Sequence, residues 1–136
     1  MLQAYSSNID VAANAAFPFN NVTIDKGCAE TLSAPASIQL NQRGVYLVEV
    51  DGFATGATAG AETIQLNAND VALPQANTAF NIATTSASNF AFKTLIQVTN
   101  NNCPCNCTSS PTVLQIINGD IALTDAHINV IVTKLR

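Results

Sequence analysis

Apolar and polar residues alternate along several short segments of this chain. In the last of them, residues 128–135, Ile128, Val130 and Val132 are separated by residues of mixed polarity. An apolar repeat of two is typical of a β-strand, because successive side chains point to opposite faces. One face of this strand is therefore predicted to lie in a core, and Ile131 makes the other face partly apolar.

Turn-forming residues divide the rest of the chain into further strands. The clearest predicted strands are residues 21–24, 37–41, 45–53, 63–67, 91–99, 112–117 and 128–135, with weaker candidates at 3–7 and 77–82. Small residues predict loops at 52–60 and 83–89, and Pro18 cuts short the most helix-like stretch, residues 9–17. The pattern predicts an all-β fold, a single-domain jelly-roll β-sandwich of about eight to ten antiparallel strands that spans residues 1–136.

The segment 45–50 is apolar on both of its predicted faces. Val45 and Leu47 share one face, and Tyr46, Val48 and Val50 share the other. A strand that is buried on both sides needs a second layer over its outer face. That layer is most simply another subunit, and a loop of the same chain is the alternative. The candidate contact residues at a subunit interface are Val45, Tyr46, Leu47, Ile131 and Leu135.

The composition supports both strands and assembly. Hydrophobic residues make up 48% of the chain and charged residues only 10%, whereas about 25% charged residues is usual in a soluble domain. Sixteen Asn and fourteen Thr supply a neutral polar surface, and both residues disfavour helix interiors. So few charges suggest that part of the surface contacts other protein.

The charge and the N-terminal segment restrict the possible partners and location. The net charge is −4, and the three Lys and two Arg are scattered along the chain, so nucleic-acid binding is disfavoured. No apolar run approaches the roughly 20 residues of a membrane-spanning helix. Residues 2–16 have neither the basic start nor the apolar stretch of a signal peptide. We therefore expect synthesis and assembly in the bacterial cytoplasm, with release by lysis.

Three segments resemble the tumour-necrosis-factor and complement globular-head superfamily. Residues 44–50 (GVYLVEV) resemble its G-x-Y-x-V/I-x-V strand, and residues 64–70 (IQLNAND) resemble the hairpin that follows in those domains. Residues 118–123 (NGDIAL) are similar to the G-D-x-I/V-x-L segment near their C-terminus, and the chain then ends on an apolar strand. The resemblance covers residues 37 to 136.

This resemblance implies a compact homotrimer that packs around a three-fold axis through apolar and aromatic residues. The most similar members in composition are phage virion proteins and the C-terminal domains of bacterial spore-surface glycoproteins. The resemblance therefore implies a structural or adhesive role, as a head-decoration, neck or fibre-tip protein of a phage. The expected location is the released virion, and the expected partners are other particle-surface proteins and a host-surface glycan.

Cysteines form the most unusual local feature of the sequence. Cys103, Cys105 and Cys107 lie within five residues, and Cys28 is the fourth cysteine. Disulfides, reduced thiols and a soft-metal site are all compatible with this spacing, although it differs from the usual C-x₂-C zinc pattern. We expect at least one disulfide that involves the cluster, and no bound transition metal or other cofactor.

No catalytic constellation is apparent in the sequence. His127 is the single histidine and the single candidate general base, with Asp125 nearby in the chain and Ser109 or Ser110 as candidate partners. No nucleophile elbow, P-loop or zinc-protease motif is present. The acidic residues that were considered as calcium ligands lack the spacing of a calcium loop. These residues are Asp51, Glu62, Asp70, Asp120 and Asp125. We therefore expect a protein that is not an enzyme.

Two alternatives to the phage role are open at this point. A spore-surface protein also needs no signal peptide, but no collagen-like repeat precedes this domain. A carbohydrate-binding module uses exposed aromatic rings, and the chain has no Trp and only two Tyr.

Overall fold

The computed structural model describes residues 1–102 and 111–136, and within them the chain forms ten strands and no helix. Among these residues there is accordingly no helix that could cross a membrane. The strands are β1 (Leu2–Val11), β2 (Asn21–Asp25), β3 (Glu30–Ala34), β4 (Ser37–Leu40), β5 (Gln42–Gly56), β6 (Gly60–Ala68), β7 (Val71–Ile82), β8 (Ser88–Asn102), β9 (Thr112–Asn118) and β10 (Leu123–Lys134).

The strands form two five-stranded sheets that pack face to face. Sheet I has the order β2-β1-β10-β5-β8, and sheet II has the order β3-β4-β9-β6-β7. Every pairing between these strands is antiparallel. The first and last strands are neighbours, with Leu2 opposite Val132. The prediction of an all-β sandwich of antiparallel strands is confirmed.

The core lies between the inner faces of the two sheets. On β10, Ile128 and Val132 are fully buried, and they face sheet II residues such as Ile64 and Leu114, which belong to the same buried cluster. The alternation of residues 128–135 therefore predicted the correct inner face. Burial of large aliphatic side chains contributes about 1.5–3 kcal/mol each, so this cluster is the main source of stability.

Tyr46 belongs to this core, and its assignment as a subunit contact is wrong. Its side chain is 0% exposed, because strand alternation turns Tyr46 inward and its neighbours outward. The hydroxyl donates a hydrogen bond to the Gln42 carbonyl at 2.7 Å. Burial raises the pKa of Tyr46 above its usual value.

One strand was not predicted, and several strands extend beyond their predicted bounds. β3 was not predicted, because residues 30–34 (ETLSA) show no apolar alternation. Within the described part of the chain, it is an edge strand of sheet II that pairs with β4. β5 continues to Gly56, into the stretch predicted as a loop, and there it remains paired with β10 and β8.

The β6–β7 hairpin turns at Asn69 and Asp70, between the paired residues Ala68 and Val71. Both turn residues have positive φ, 49° and 64°. A two-residue turn with positive φ at both positions matches the right-handed twist of the strands, and Asn and Asp tolerate this conformation best after glycine. Asn69 and Asp70 therefore form this turn without a glycine.

The segment that follows β9 is organised by a buried carboxylate. The Glu62 side chain is 3% exposed and accepts hydrogen bonds from the backbone N–H groups of Thr63 at 2.8 Å and Ile121 at 2.7 Å. A Cβ at Gly119 would lie 1.8 Å from Glu62 Oε1. Gly119 is thus required here by the close approach of Glu62, which gives a physical reason for the glycine in this segment.

Candidate functional site

Aliphatic side chains cluster on the outer face of sheet I. We define the aliphatic patch as Val45, Leu47, Leu95, Ile131 and Leu135. Leu47 and Leu95 are directly opposite each other on β5 and β8, and Leu135 donates its N–H to the Val45 carbonyl at 2.7 Å. Leu95 is 57% exposed and Leu135 is 53% exposed. Side chains of this size usually lose most of their contact with water, so their exposure marks a surface that can contact protein.

A band of polar residues crosses the middle of the same face. We define this polar belt as Gln3, Glu49, Asp51, Lys93 and Asn129. Asn129 connects its neighbours, since it donates to Asp51 Oδ1 at 3.0 Å and accepts from Gln3 Nε2 at 3.1 Å. Glu49 is opposite Lys93 across β5 and β8. Ile131 of the aliphatic patch is opposite Gln3 and Glu49, so the patch and the belt meet on β10.

Three rings stand side by side beyond the polar belt. We define this aromatic row as Tyr5, His127 and Phe53, which lie on the adjacent strands β1, β10 and β5. The His127 and Phe53 rings are stacked, with centroids 5.1 Å apart and an angle of 9° between planes. The Tyr5 and His127 centroids are 6.3 Å apart. Phe53 is 42% exposed, so the row adds a second apolar area to this face.

His127 contacts a serine, but not the serines considered from sequence. His127 Nδ1 lies 2.9 Å from Ser7 Oγ, whereas Ser109 and Ser110 lie outside the described residues. A serine nucleophile of this kind also needs a third group that orients the imidazole. Among the described residues, no carboxylate is hydrogen-bonded to His127. The pair therefore forms part of the aromatic row and lacks the geometry of a catalytic triad.

The acidic residues considered for calcium lie apart in the structure. Asp51 is in the polar belt, Asp70 is in the β6–β7 turn, and Glu62 is buried beside Gly119. Asp120 is exposed in the short connection before β10, and Asp125 is exposed within β10. In the part of the chain that the structure describes, no group of three or more metal-ligating side chains comes together.

The structure describes one of the four cysteines, Cys28. Cys28 lies between β2 and β3 and is disulfide-bonded, and its sulfur accepts a contact from Gln42 Nε2 at 3.8 Å. Cys103, Cys105 and Cys107 lie outside the described residues, so the pairing and the absence of a metal in this cluster stay predictions.

The outer face of sheet II has a different character. Its outward positions carry amides and hydroxyls at its centre, among them Gln39, Thr63, Gln65, Asn67 and Gln115. Gln65 Nε2 donates to the carbonyls of Leu66 and Leu73, at 2.8 Å each, and of Ala76 at 3.1 Å. These bonds hold a bulge in β7. Gln65 of β6 is opposite Asn77, whereas Asn67, two residues later, is opposite Ala72.

Four of the five contact residues predicted from sequence share one surface. Val45, Leu47, Ile131 and Leu135 all lie in the aliphatic patch, and Tyr46 does not. The sequence reading missed Leu95, although its apolar side chain falls between the inward positions Thr94 and Ile96 of the predicted strand 91–99. It also missed the aromatic row, whose members are far apart in the chain and meet only through strand pairing.

Comparisons with known proteins show the fold. No protein-family model and no curated protein matches the sequence. The globular domain of zebrafish complement 1qA protein superposes with a TM-score of 0.69 at 8% identity, over 99% of this chain and 96% of that one. Murine APRIL superposes with a TM-score of 0.69 at 6% identity, over 98% of each chain.

PRD1 vertex protein P5 has a higher sequence identity to this chain. It superposes with a TM-score of 0.66 at 21% identity, over 99% of this chain and 96% of that one. Together these structures show that the chain has the jelly-roll fold of the tumour-necrosis-factor and complement-head type, as the resemblance implied. At such identities the comparison establishes the fold alone.

Proposed function

We propose that this chain is a non-enzymatic structural protein of a phage particle, and that it assembles as a compact homotrimer through the outer face of sheet I. The whole chain, residues 1–136, acts as one domain. The observation that carries the proposal is the aliphatic patch, which exposes several large apolar side chains on a chain with only 10% charged residues.

The energetics favour association at this surface. Covering one Leu or Ile side chain contributes about 1.5–3 kcal/mol, and a cyclic assembly covers the same patch on every copy. Sheet I also exposes the Phe53 ring, and aromatic side chains are enriched at the centre of protein interfaces. The outer face of sheet II lacks such a cluster at its centre, so association there is not favoured.

We propose three copies in the assembly because residues 37–136 resemble heads that are trimeric. The phage role is supported by the likeness to PRD1 vertex protein P5. In this role the protein assembles in the bacterial cytoplasm and remains on the released particle, beside other particle proteins. A spore-surface protein is the alternative with the same fold and the same assembly.

The mass in solution tests the assembly. Light scattering on the purified protein is expected to give about three times the chain mass of 14.2 kDa. Leu95→Asp is expected to give the mass of one chain, because assembly would bury an unpaired carboxylate at a cost of several kcal/mol. Since Leu95 is 57% exposed in the single chain, the substitution leaves the fold intact, and circular dichroism checks this.

Val71→Asp is the matched control. Val71 is 65% exposed on β7 of sheet II, so the same charge added there is expected to leave the trimer unchanged. A monomeric wild-type protein at micromolar concentration would refute the assembly, and dissociation by Val71→Asp alone would place the interface on sheet II.

The particle role needs a separate measurement. Mass spectrometry of purified phage particles and of purified spores from the producing strain is expected to detect this chain in the phage fraction. Detection in the spore fraction alone would favour the spore-surface alternative.

A further inference from the structure

Charged side chains lie among the apolar side chains of the aliphatic patch. Across β10, β5 and β8, strand pairing places Ile131, Glu49 and Lys93 in one row on the outer face of sheet I. Leu47 and Leu95 are opposite each other in the next outward row. Outward side chains repeat every second residue along a strand, so each charged side chain is next to a leucine on its own strand. A subunit that covers the aliphatic patch therefore covers these two charges as well.

No ion pair joins Glu49 and Lys93 within one chain. Among the described residues, the one ion pair joins the Met1 amine to Glu30, and residues 103–110 include no charged residue. A cavity of about 370 Å³ opens beside the two opposed charges, and its lining consists of Leu47, Glu49, Lys93, Thr94 and Leu95. Both charged groups therefore border open space that a second molecule can enter.

An assembly that covers this face needs a partner for each of the two charges. A charge that loses its water without gaining a partner is unfavourable. In a cyclic trimer each interface is heterologous, which means that different residues of two copies meet there. An acid of one copy can therefore meet a base of the next copy. Among the described strands, β8 is at the edge of sheet I and β5 is one strand further in, so Lys93 is placed to reach a neighbouring copy.

We propose that Lys93 of each copy forms an ion pair with Glu49 of the next copy in the trimer. The two groups have opposite charges, and the leucines beside them exclude water at the contact, which strengthens an ion pair. Complementary charges across an interface also fix the orientation in which two surfaces meet. The inference rests on the proposed assembly through the outer face of sheet I, and it names the charged contact that orients the copies.

Lys93→Glu tests the inference through the dissociation of the trimer. The protein concentration at which half of the trimer dissociates, measured by light scattering over a dilution series, is expected to rise at least about tenfold, because each contact then joins two carboxylates. Lys26→Glu is the matched control. It makes the same change in net charge at an exposed position after β2, and it is expected to change this concentration less than about twofold. Circular dichroism checks the fold of both variants.

A mixture of two variants shows whether the ion pair joins different chains. Glu49→Lys is expected to weaken the trimer as Lys93→Glu does, because each variant leaves like charges at every contact. When equal amounts of the two variants are mixed, a trimer that holds both kinds of chain has opposite charges at two of its contacts. The mixture is therefore expected to regain the mass of a trimer at a concentration where each variant alone is dissociated.

Several results would overturn the inference. Unchanged dissociation of Lys93→Glu, with a trimeric wild-type protein, would refute the ion pair and leave the assembly intact. Equal weakening by Lys26→Glu would show that net charge alone is responsible. If the double variant with Lys93→Glu and Glu49→Lys regained the trimer and the mixture did not, the pair would act within one chain. A monomeric wild-type protein would instead refute the assembly itself, so the two proposals can be told apart.

Discussion

The outer faces of the two sheets differ although their inner faces build one core together. Sheet I carries the aliphatic patch, the polar belt and the aromatic row, whereas the centre of sheet II carries amides and hydroxyls. Both kinds of surface leave strand pairing intact, because outward side chains do not take part in the backbone ladder. Outward positions in this fold are therefore free to serve contacts with other molecules.

Polar side chains also have different uses on the two faces. On sheet II, the Gln65 amide donates to three backbone carbonyls and so fixes the course of β7. On sheet I, the Asn129 side chain bonds to the side chains of Gln3 and Asp51. We therefore expect the sheet II amide to matter for stability and the sheet I amide to matter little.

The largest expected effect comes from adding a charge to each face at a matched position. Ile131 on sheet I and Ile117 on sheet II are both outward and partly buried. Ile131→Asp is expected to dissociate the trimer, because its assembly would bury an unpaired charge at a cost of several kcal/mol. Ile117→Asp is expected to keep the trimer mass by light scattering. An unchanged mass for Ile131→Asp would show that sheet I is not the interface.

An intermediate effect is expected from the two amides. Gln65→Ala removes the donor to three carbonyls and is expected to lower the free energy of unfolding by about 2 kcal/mol. Asn129→Ala is expected to lower it by about 0.5 kcal/mol or less, as is usual for exposed polar contacts. Urea denaturation of both variants measures the difference. An equal loss of unfolding free energy in the two variants would mean that polar side chains contribute equally to stability on the two faces.

The smallest effect is expected in the aromatic row. His127→Ala removes the ring that stacks on Phe53, and aromatic pairs of this geometry contribute about 0.5–1.5 kcal/mol. The free energy of unfolding is therefore expected to fall by about 1 kcal/mol, with Ser7→Ala as a control for the loss of the hydrogen bond to Nδ1. A loss in His127→Ala well above this value would give the imidazole a role beyond stacking.

Most strands could be predicted because their alternation records which face is buried. Residues 128–135 showed the correct inward set, residues 45–50 showed which side chains share a face, and the segments at 44–50, 64–70 and 118–123 indicated the correct fold. β3 could not be predicted, because an edge strand with one solvated face has little apolar pattern to detect. The extension of β5 was missed because Gly52 and Gly56 look like turn residues, while pairing on both sides keeps them in the strand.

The sequence by itself determined the all-β sandwich, the turn at Asn69 and Asp70, and most of the apolar positions on the outer face. These depend on local periodicity and on backbone preferences that each residue carries with it. The folded structure was needed to show that Tyr46 points inward, that Leu95 completes the aliphatic patch, and that Tyr5, His127 and Phe53 form a row. Those outcomes depend on strand order and register, which bring together residues that are distant in the chain. The residue pattern of one segment alone does not show which segment it will pair with.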